Sequence, residues 1–264
     1  MTQRKIQVPV MSDVHAQGEQ PEYLVWIGSA GAYDDRYKKV TRAFIKVLTH
    51  LGVSYAVLGT EESSSGDVAR RAGNEMLFQM QAMANIEILN GYGVKKILTC
   101  DPHAYNTFKN EYPEFGGHYE VWHHTQFFQQ LIGEGKLNLE SPVFKNQRIT
   151  FHDPCYLGRA NEEYDAPRDV LKAMPVQTLE MPRNRSFALC CGAGGGQMFK
   201  EAEKGDKEVF LERTEEALST GADIIATACP YCMVMITDGI KYKNREEDVR
   251  NLDIAEIIEQ SFEL

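Results

Sequence analysis

Five of the six cysteines stand in the C-terminal half at spacings that suit a shared metal: Cys155, then Cys190-Cys191-Gly192, then Cys229-Pro230-Tyr231-Cys232. Thiolate sulfur is a favoured ligand of zinc and of iron–sulfur centres. Structural zinc takes four ligands in a tetrahedron, so a zinc site would leave one of these thiols idle. A multi-iron cluster has no such difficulty. The adjacent pair runs into Gly192-Ala193-Gly194-Gly195-Gly196, where the missing side chains let backbone N–H groups approach sulfur and donate to it. Cys229-x-x-Cys232 also matches a glutaredoxin-type redox pair, but that reading accounts for neither Cys155 nor the Cys-Cys-Gly. Iron–sulfur ligation by Cys155, Cys190, Cys191, Cys229 and Cys232 is the expectation; dithiol chemistry and zinc are its rivals.

Other residues carry weaker signals. Cys100 lies outside the pattern and reads as a small buried apolar residue. Cys100, Asp101, His103 and the His123-His124 pair could form a small metal or ligand pocket in the first half. The alternative is that the histidine pair caps the helix beginning near Thr125 or packs between the halves. His152 reads as a buried structural histidine or as a donor that tunes the centre. Arg159 and Lys200 flank the cysteine segments and could offset the charge of a bound cluster. The glycines after Cys191 lack the full Gly-x-Gly-x-x-Gly spacing, so no dinucleotide is expected. Met76, Met80 and Met83 share one helix face and read as core.

The elements that must hold these residues occur twice. Tyr23–Ser29 resembles Ile149–Cys155 at an offset of 126 residues, which also carries Ser64-Ser65-Gly66 onto Cys190-Cys191-Gly192. An offset of 128 carries Asp101-Pro102-His103-Ala104 onto Cys229-Pro230-Tyr231-Cys232. Three landmarks in one order indicate an internal duplication. In the first half, hydrophobic periodicity predicts strands over 24–27, 54–58, 96–99 and 120–123 and helices over 34–51, 69–89, 105–111 and 125–132. The second half predicts strands over 148–152, 178–180 and 224–228 and helices over 168–172, 206–219, 233–240 and 254–259. Alternating strands and helices imply two small α/β units with mainly parallel sheets, joined by a linker near 133–147. In such sheets ligands sit outside the carboxyl ends of the strands, where all five cysteines can converge.

Composition narrows the function further. The chain has 264 residues, 43% hydrophobic and 25% charged, ordinary globular values. A formal charge of −10 with no basic stripe argues against nucleic acid. The polar segment Met1–Asp13 has no secretory h-region, and Ile224–Ile236 is too short for a membrane span. A cytoplasmic protein is expected, in which cysteines serve metals or redox chemistry more than structural disulfides.

The pattern Cys155…Cys190-Cys191-Gly192…Cys229-Pro230-Tyr231-Cys232 resembles the cysteine-rich CCG domain found in the B-type component of heterodisulfide reductase and in related iron–sulfur oxidoreductases. The stretches Tyr37–Phe44, Arg71–Ala82, Lys109–Gly117 and Cys155–Ala160 are similar to the iron–sulfur proteins associated with electron-transfer flavoprotein:quinone oxidoreduction, and carry the likeness over nearly the whole chain. The resemblance implies an α/β fold of two tandem, pseudo-symmetric Rossmann-like CCG units. It also implies a noncubane [4Fe-4S] cluster on Cys155, Cys190, Cys191, Cys229 and Cys232. The family's first half normally has cysteines of its own; here Ser29, Ser64, Ser65, Asp101 and Ala104 replace them. A degenerate repeat over 1–140 and a cluster-binding repeat over 141–264 are therefore expected, with one cluster and not two.

Disulfide cleavage shared between two clusters is then not open to this chain. Without a span, a flavin signature or a ferredoxin-type cysteine run, its electrons must come from and go to other redox subunits: a ferredoxin-type subunit, a flavoprotein or a membrane quinone-reactive subunit. The expectation is an electron-transfer subunit of a heterodisulfide reductase-like or quinone-linked complex, cytoplasmic or held at the inner membrane through a partner. A cluster that itself reduces a thiol or disulfide substrate, and a purely structural docking role, are the alternatives.

Overall fold

The structure is a computed structural model that describes residues 7–194, 196–201 and 204–262. In the first unit α1 (Met11–Ala16), β1 (Tyr23–Trp26), α2 (Gly28–Tyr33), α3 (Tyr37–His50) and β2 (Tyr55–Ala56) are followed by α4 (Asp67–Arg71), α5 (Glu75–Gly91), β3 (Lys96–Thr99), α6 (Pro102–Asn106), β4 (Glu120–His123) and α7 (His124–Gly133). The second has β5 (Arg148–Phe151), α8 (Asp165–Lys172), β6 (Gln177–Leu179), α9 (Val209–Ser219), β7 (Ile224–Thr227), α10 (Pro230–Tyr242), β8 (Arg250–Asp253) and α11 (Ile254–Ser261).

Both units are four-stranded parallel sheets with one strand order, β2-β1-β3-β4 and β6-β5-β7-β8. The central strands β1 and β7 are buried at every residue, as expected where helices cover both faces of a parallel sheet. The duplication read from the motifs is thus a duplication of topology.

The units meet through equivalent helices. α3 packs on α11, and α7 on α8; α3 follows the first strand of its unit as α8 does, and α7 closes its unit as α11 does. In α3, Tyr37, Val40, Phe44, Val47 and Leu48 are buried, a helical stripe facing one apolar core that also takes Val170, Ile224, Ile254 and Ile257 of the second unit. The connecting segment 134–147 contributes Leu137, Leu139 and Phe144 to that core, so the expected linker is packed. Polar ties cross the same seam, among them Arg36–Glu256 at 2.7 Å and Lys46–Glu259 at 2.6 Å.

Several expected elements differ. The helix over 69–89 is two helices, because Gly73 adopts a left-handed φ of 86° and the Asn74 side chain caps α5 by accepting from the Leu77 N–H. The helix over 105–111 begins earlier, at Pro102, and widens into a π turn over Thr107–Glu111. The strand β8 and the short helices α1 and α2 carry no strong periodicity. Met76, Met80 and Met83 are exposed, at 75%, 58% and 53%, which corrects their reading as core. One helix buries one face, and here Phe78, Ala82, Ile86 and Leu89 occupy it.

Candidate metal centre

Each cysteine segment leaves the carboxyl edge of the second sheet. Past β5 the chain runs through buried His152, Asp153 and Pro154 to Cys155. The Asp153 carboxylate accepts two hydrogen bonds from the Arg168 guanidinium, at 2.7 and 2.9 Å, and one from the Arg185 N–H at 2.8 Å, which fixes the loop. Cys229 is the N-cap of α10 with Pro230 at its first position, an arrangement that starts a helix without losing a backbone donor. Cys232 follows one turn in, on the same helix. Gly192, φ 91°, turns the chain after the adjacent pair and donates its N–H to Cys190 Sγ at 3.3 Å.

The five sulfurs form a continuous chain of neighbours. Cys232 donates to Cys191 at 3.4 Å and also neighbours Cys229, and Cys155 and Cys191 both lie against Cys190. Cys191, Cys229 and Cys232 are buried, while Cys155 and Cys190 are half-buried. Hydrogen bonds from Cys155, Cys191 and the Gly192 N–H hold Cys190 well below the usual thiol range. Burial alone would push Cys229 up, but Cys232 and His103 donate to it and bring it down to about 6. Cys155, Cys191 and Cys232, the donors in this chain, are pushed up by giving those bonds. Five clustered thiols with a backbone donor aimed at one of them fit a centre larger than a tetrahedral ion, which takes four ligands.

His152 closes one side. A ring nitrogen lies within 4.8 Å of the Cys191 and Cys232 sulfurs. Its Nδ1 accepts from Arg213 Nε at 2.9 Å, and since arginine keeps its protons the hydrogen of this imidazole is on Nε2. Burial and the Arg213 charge push His152 down to about 3, so it stays neutral, and Nε2 has no protein partner among the described residues. Arg159 instead donates to the Ala188 carbonyl at 3.0 Å, strapping the Cys155 loop to the segment before Cys190. Lys200 borders a cavity of about 670 Å³ that opens onto Cys190 beside Tyr156, Gly192 and Met235. Within the glycine run, Gly195 lies outside the described residues.

The corresponding edge of the first unit keeps the backbone and loses the ligands. Gly66 has φ 88°, and its N–H donates to Ser64 Oγ at 3.1 Å, the counterpart of the bond from Gly192 to Cys190. Ser29 and Ser64 border a cavity of about 300 Å³ with Gly28, Tyr33 and Glu62. The Glu62 carboxylate enters this edge and accepts from the Ile27 and Gly28 N–H groups at 3.1 and 2.5 Å. Asp101 caps α6 by accepting from the His103 N–H at 2.9 Å, and Ala104 is core. Among the described residues no three ligand side chains converge here. His123 caps α7 in a capping box with Gln126, and His124 Nε2 reaches Asp253 of the second unit at 3.0 Å. The pair is thus a cap and an inter-unit contact, and Cys100 is buried.

Two neighbours of the centre escaped the sequence reading. His103, expected in a pocket of its own unit, lies against Cys229 of the other, and its Nδ1 is 2.8 Å from Asp67 Oδ2. Asp67 follows Ser64-Ser65-Gly66 directly, and that adjacency was the one available signal.

The family model of the cysteine-rich CCG domain matches residues 26–109 and 149–237, one copy for each sheet, and the chain belongs to that family. It is 49% identical over 97% of its length to a Bacillus subtilis protein named "Probable iron-sulfur-binding oxidoreductase FadF", of which it covers 36%. It is 44% identical over 93% of its length to an "EtfAB:quinone oxidoreductase" of Syntrophomonas wolfei, covering 35% of it. A component of the dihydromethanophenazine:CoB–CoM heterodisulfide reductase of Methanosarcina barkeri is 34% identical over 93% of this chain and is covered for 64% of its own length. The chain thus spans about a third of the length of the first two relatives. Among the described residues no helix is long and apolar enough to cross a membrane.

Proposed function

We propose that this chain is an iron–sulfur electron-transfer unit of an oxidoreductase complex, heterodisulfide reductase-like or quinone-linked, and that Cys155, Cys190, Cys191, Cys229 and Cys232 together hold one noncubane [4Fe-4S] cluster. Residues 1–140 are then the degenerate repeat and 141–264 the cluster-binding one. The observation that carries this reading is the gathering of five thiols at one sheet edge, where among the described residues the equivalent edge of the first unit has the single buried Cys100. The names of the relatives, iron–sulfur-binding and quinone-linked oxidoreductases, support the same class. When bound, such a cluster supplies a one-electron donor and acceptor. The protein contributes thiolate ligands, the Gly192 N–H at Cys190, and burial that keeps water from Cys191, Cys229 and Cys232. Other redox subunits, ferredoxin-type, flavoprotein or membrane quinone-reactive, exchange the electrons; the chain works on the cytoplasmic side and meets a membrane through such a partner. Anaerobic metal analysis tests this: iron and sulfide in equal amounts, about four of each per chain, with a paramagnetic signal that changes on reduction, and loss of both in Cys190→Ser. One zinc per chain without sulfide would overturn it.

The cavity that opens onto Cys190 favours a second reading, in which a thiol or disulfide substrate is reduced at the centre itself. Turnover of a small disulfide by the isolated, reduced chain supports that reading; strict dependence on a partner supports relay. A Cys190→Ser chain that assembles normally yet passes no electrons excludes a purely structural docking role.

A further inference from the structure

Among the described residues no three ligand side chains converge in the first unit, yet one of its side chains reaches the centre of the second. His103 follows Asp101-Pro102 at the start of α6, the place that Tyr231 holds after Cys229-Pro230 in the duplicated motif. The two equivalent residues meet across the seam, with ring centroids 4.7 Å apart. His103 also stacks on Tyr156, the neighbour of Cys155, at 4.0 Å and an interplanar angle of 22°. Held between these two rings and 4% exposed, the imidazole has one orientation. Asp67 Oδ2 takes Nδ1 at 2.8 Å, which leaves Nε2 as the nitrogen free to donate to Cys229, the thiol this imidazole lies against.

The surroundings hold this arrangement in place. Asp67 Oδ1 accepts from Arg71 Nε at 3.0 Å, and Arg71 also pairs with Glu111. The Arg71 guanidinium lies over the Tyr156 ring, 5.4 Å from its centroid. Asn161, in the loop after Cys155, bonds Asn106 at 3.0 Å and Asn110 at 2.9 Å. A carboxylate that anchors one imidazole nitrogen fixes the tautomer and directs the other N–H outward, the device by which ligand-bearing sites are tuned from outside the ligand set.

We propose that His103, supplied by the degenerate unit, donates a fixed hydrogen bond to the Cys229 thiolate and so raises the reduction potential of the centre held by the second unit, with Asp67 as the residue that positions it. Hydrogen bonds to cluster sulfurs favour the more negative, reduced state, and reduction potential follows their number. The retained first unit is on this view a second wall of the redox site. The inference rests on the iron–sulfur reading above.

The test is redox titration of the anaerobically reconstituted full chain, followed by paramagnetic resonance. His103→Phe fills the slot without a donor, and its potential is expected to fall below that of the parent at equal iron content. His103→Gln keeps a donor and falls between; Asp67→Asn weakens the anchor and shifts in the same direction by less. In deuterium oxide, pulsed resonance of the parent shows one exchangeable proton coupled to the centre that is lost in His103→Phe. Equal potentials for loaded parent and His103→Phe, or no lost proton coupling, overturn the proposal. Should His103→Phe take up no iron, Asp67→Asn decides, because it keeps the ring and its packing: an unchanged potential there is equally fatal. A parent chain that takes up no iron is a separate outcome, which overturns the iron–sulfur reading and this inference with it.

Discussion

Gly66 and Gly192 show at the scale of one residue what the duplication kept. Both sit near φ 90° and both donate a backbone N–H two residues back, to Ser64 Oγ in one unit and to Cys190 Sγ in the other. Alanine in the left-handed region costs roughly 1–2 kcal/mol. At Gly192 a Cβ meets Val209 at an ordinary 3.4 Å, whereas at Gly66 it meets the Phe78 ring at 2.7 Å. Gly66→Ala is therefore expected to lose more stability in urea unfolding than Gly192→Ala, although only Gly192 borders the thiols. Glu62 gives a second prediction. Burial pushes its carboxyl from 4.5 up to about 7 despite two backbone donors. A raised acid pKa means that the folded state binds more protons between those values, so this group's contribution is fully present below about pH 4.5 and is lost as pH rises to 7. The loss is up to about 3 kcal/mol. The stability of Glu62→Gln relative to the parent should accordingly grow from pH 4.5 to 7 and stay level above; a flat difference across that range would show that Glu62 does not titrate there.

Loops, caps and strands explain which parts of the molecule could be read in advance. The strands Lys96–Thr99 and Glu120–His123 and the helix α3 follow from apolar runs and a helical stripe. β8, Arg-Asn-Leu-Asp, has no such pattern, because it is a strand by virtue of pairing with β7, a tertiary cause that overrides local preference. The five thiols were legible because their spacing matches the strand ends of a parallel sheet. His103 was not, since its partner Cys229 is 126 residues away and belongs to the other unit. The anchors of the Cys155 loop were equally hidden: Arg168, the first residue of the helix expected over 168–172, is buried against Asp153. Removing Asp153 leaves Arg168 still paired with Glu180 at 2.6 Å but strips two buried guanidinium donors and the Arg185 N–H of their acceptor, a cost of about 1–3 kcal/mol. Asp153→Ala should show a loss of that size in chemical denaturation. Lys172→Ala, whose partner Asp169 is exposed, should change stability by about 1 kcal/mol or less.

At the scale of the whole molecule, two topologically complete sheets share one core, and the seam between them carries buried polar contacts as well as apolar ones. His124 of the first unit bonds Asp253 of the second at 3.0 Å, and Tyr37 Oη lies 3.5 Å from the same carboxylate. Separate domains joined by a linker would unfold separately; a shared core of this kind makes the chain one cooperative unit. The two tryptophans provide the means to tell. Trp26 and Trp122 both belong to the first unit, so fluorescence reports on that unit alone while far-ultraviolet dichroism reports on both. Coincident urea transitions by the two probes are expected, and a dichroism change that continues after the fluorescence change is complete would contradict the shared core. Asp253→Ala sharpens the test, because Asp253 also caps α11 by accepting from the Ala255 N–H at 2.9 Å. The lost cap and the stranded histidine together cost about 2–4 kcal/mol. Though made in the second unit, that substitution should move the tryptophan transition of the first by the same amount as the dichroism transition, since neither sheet can keep its inner face covered once the other has left.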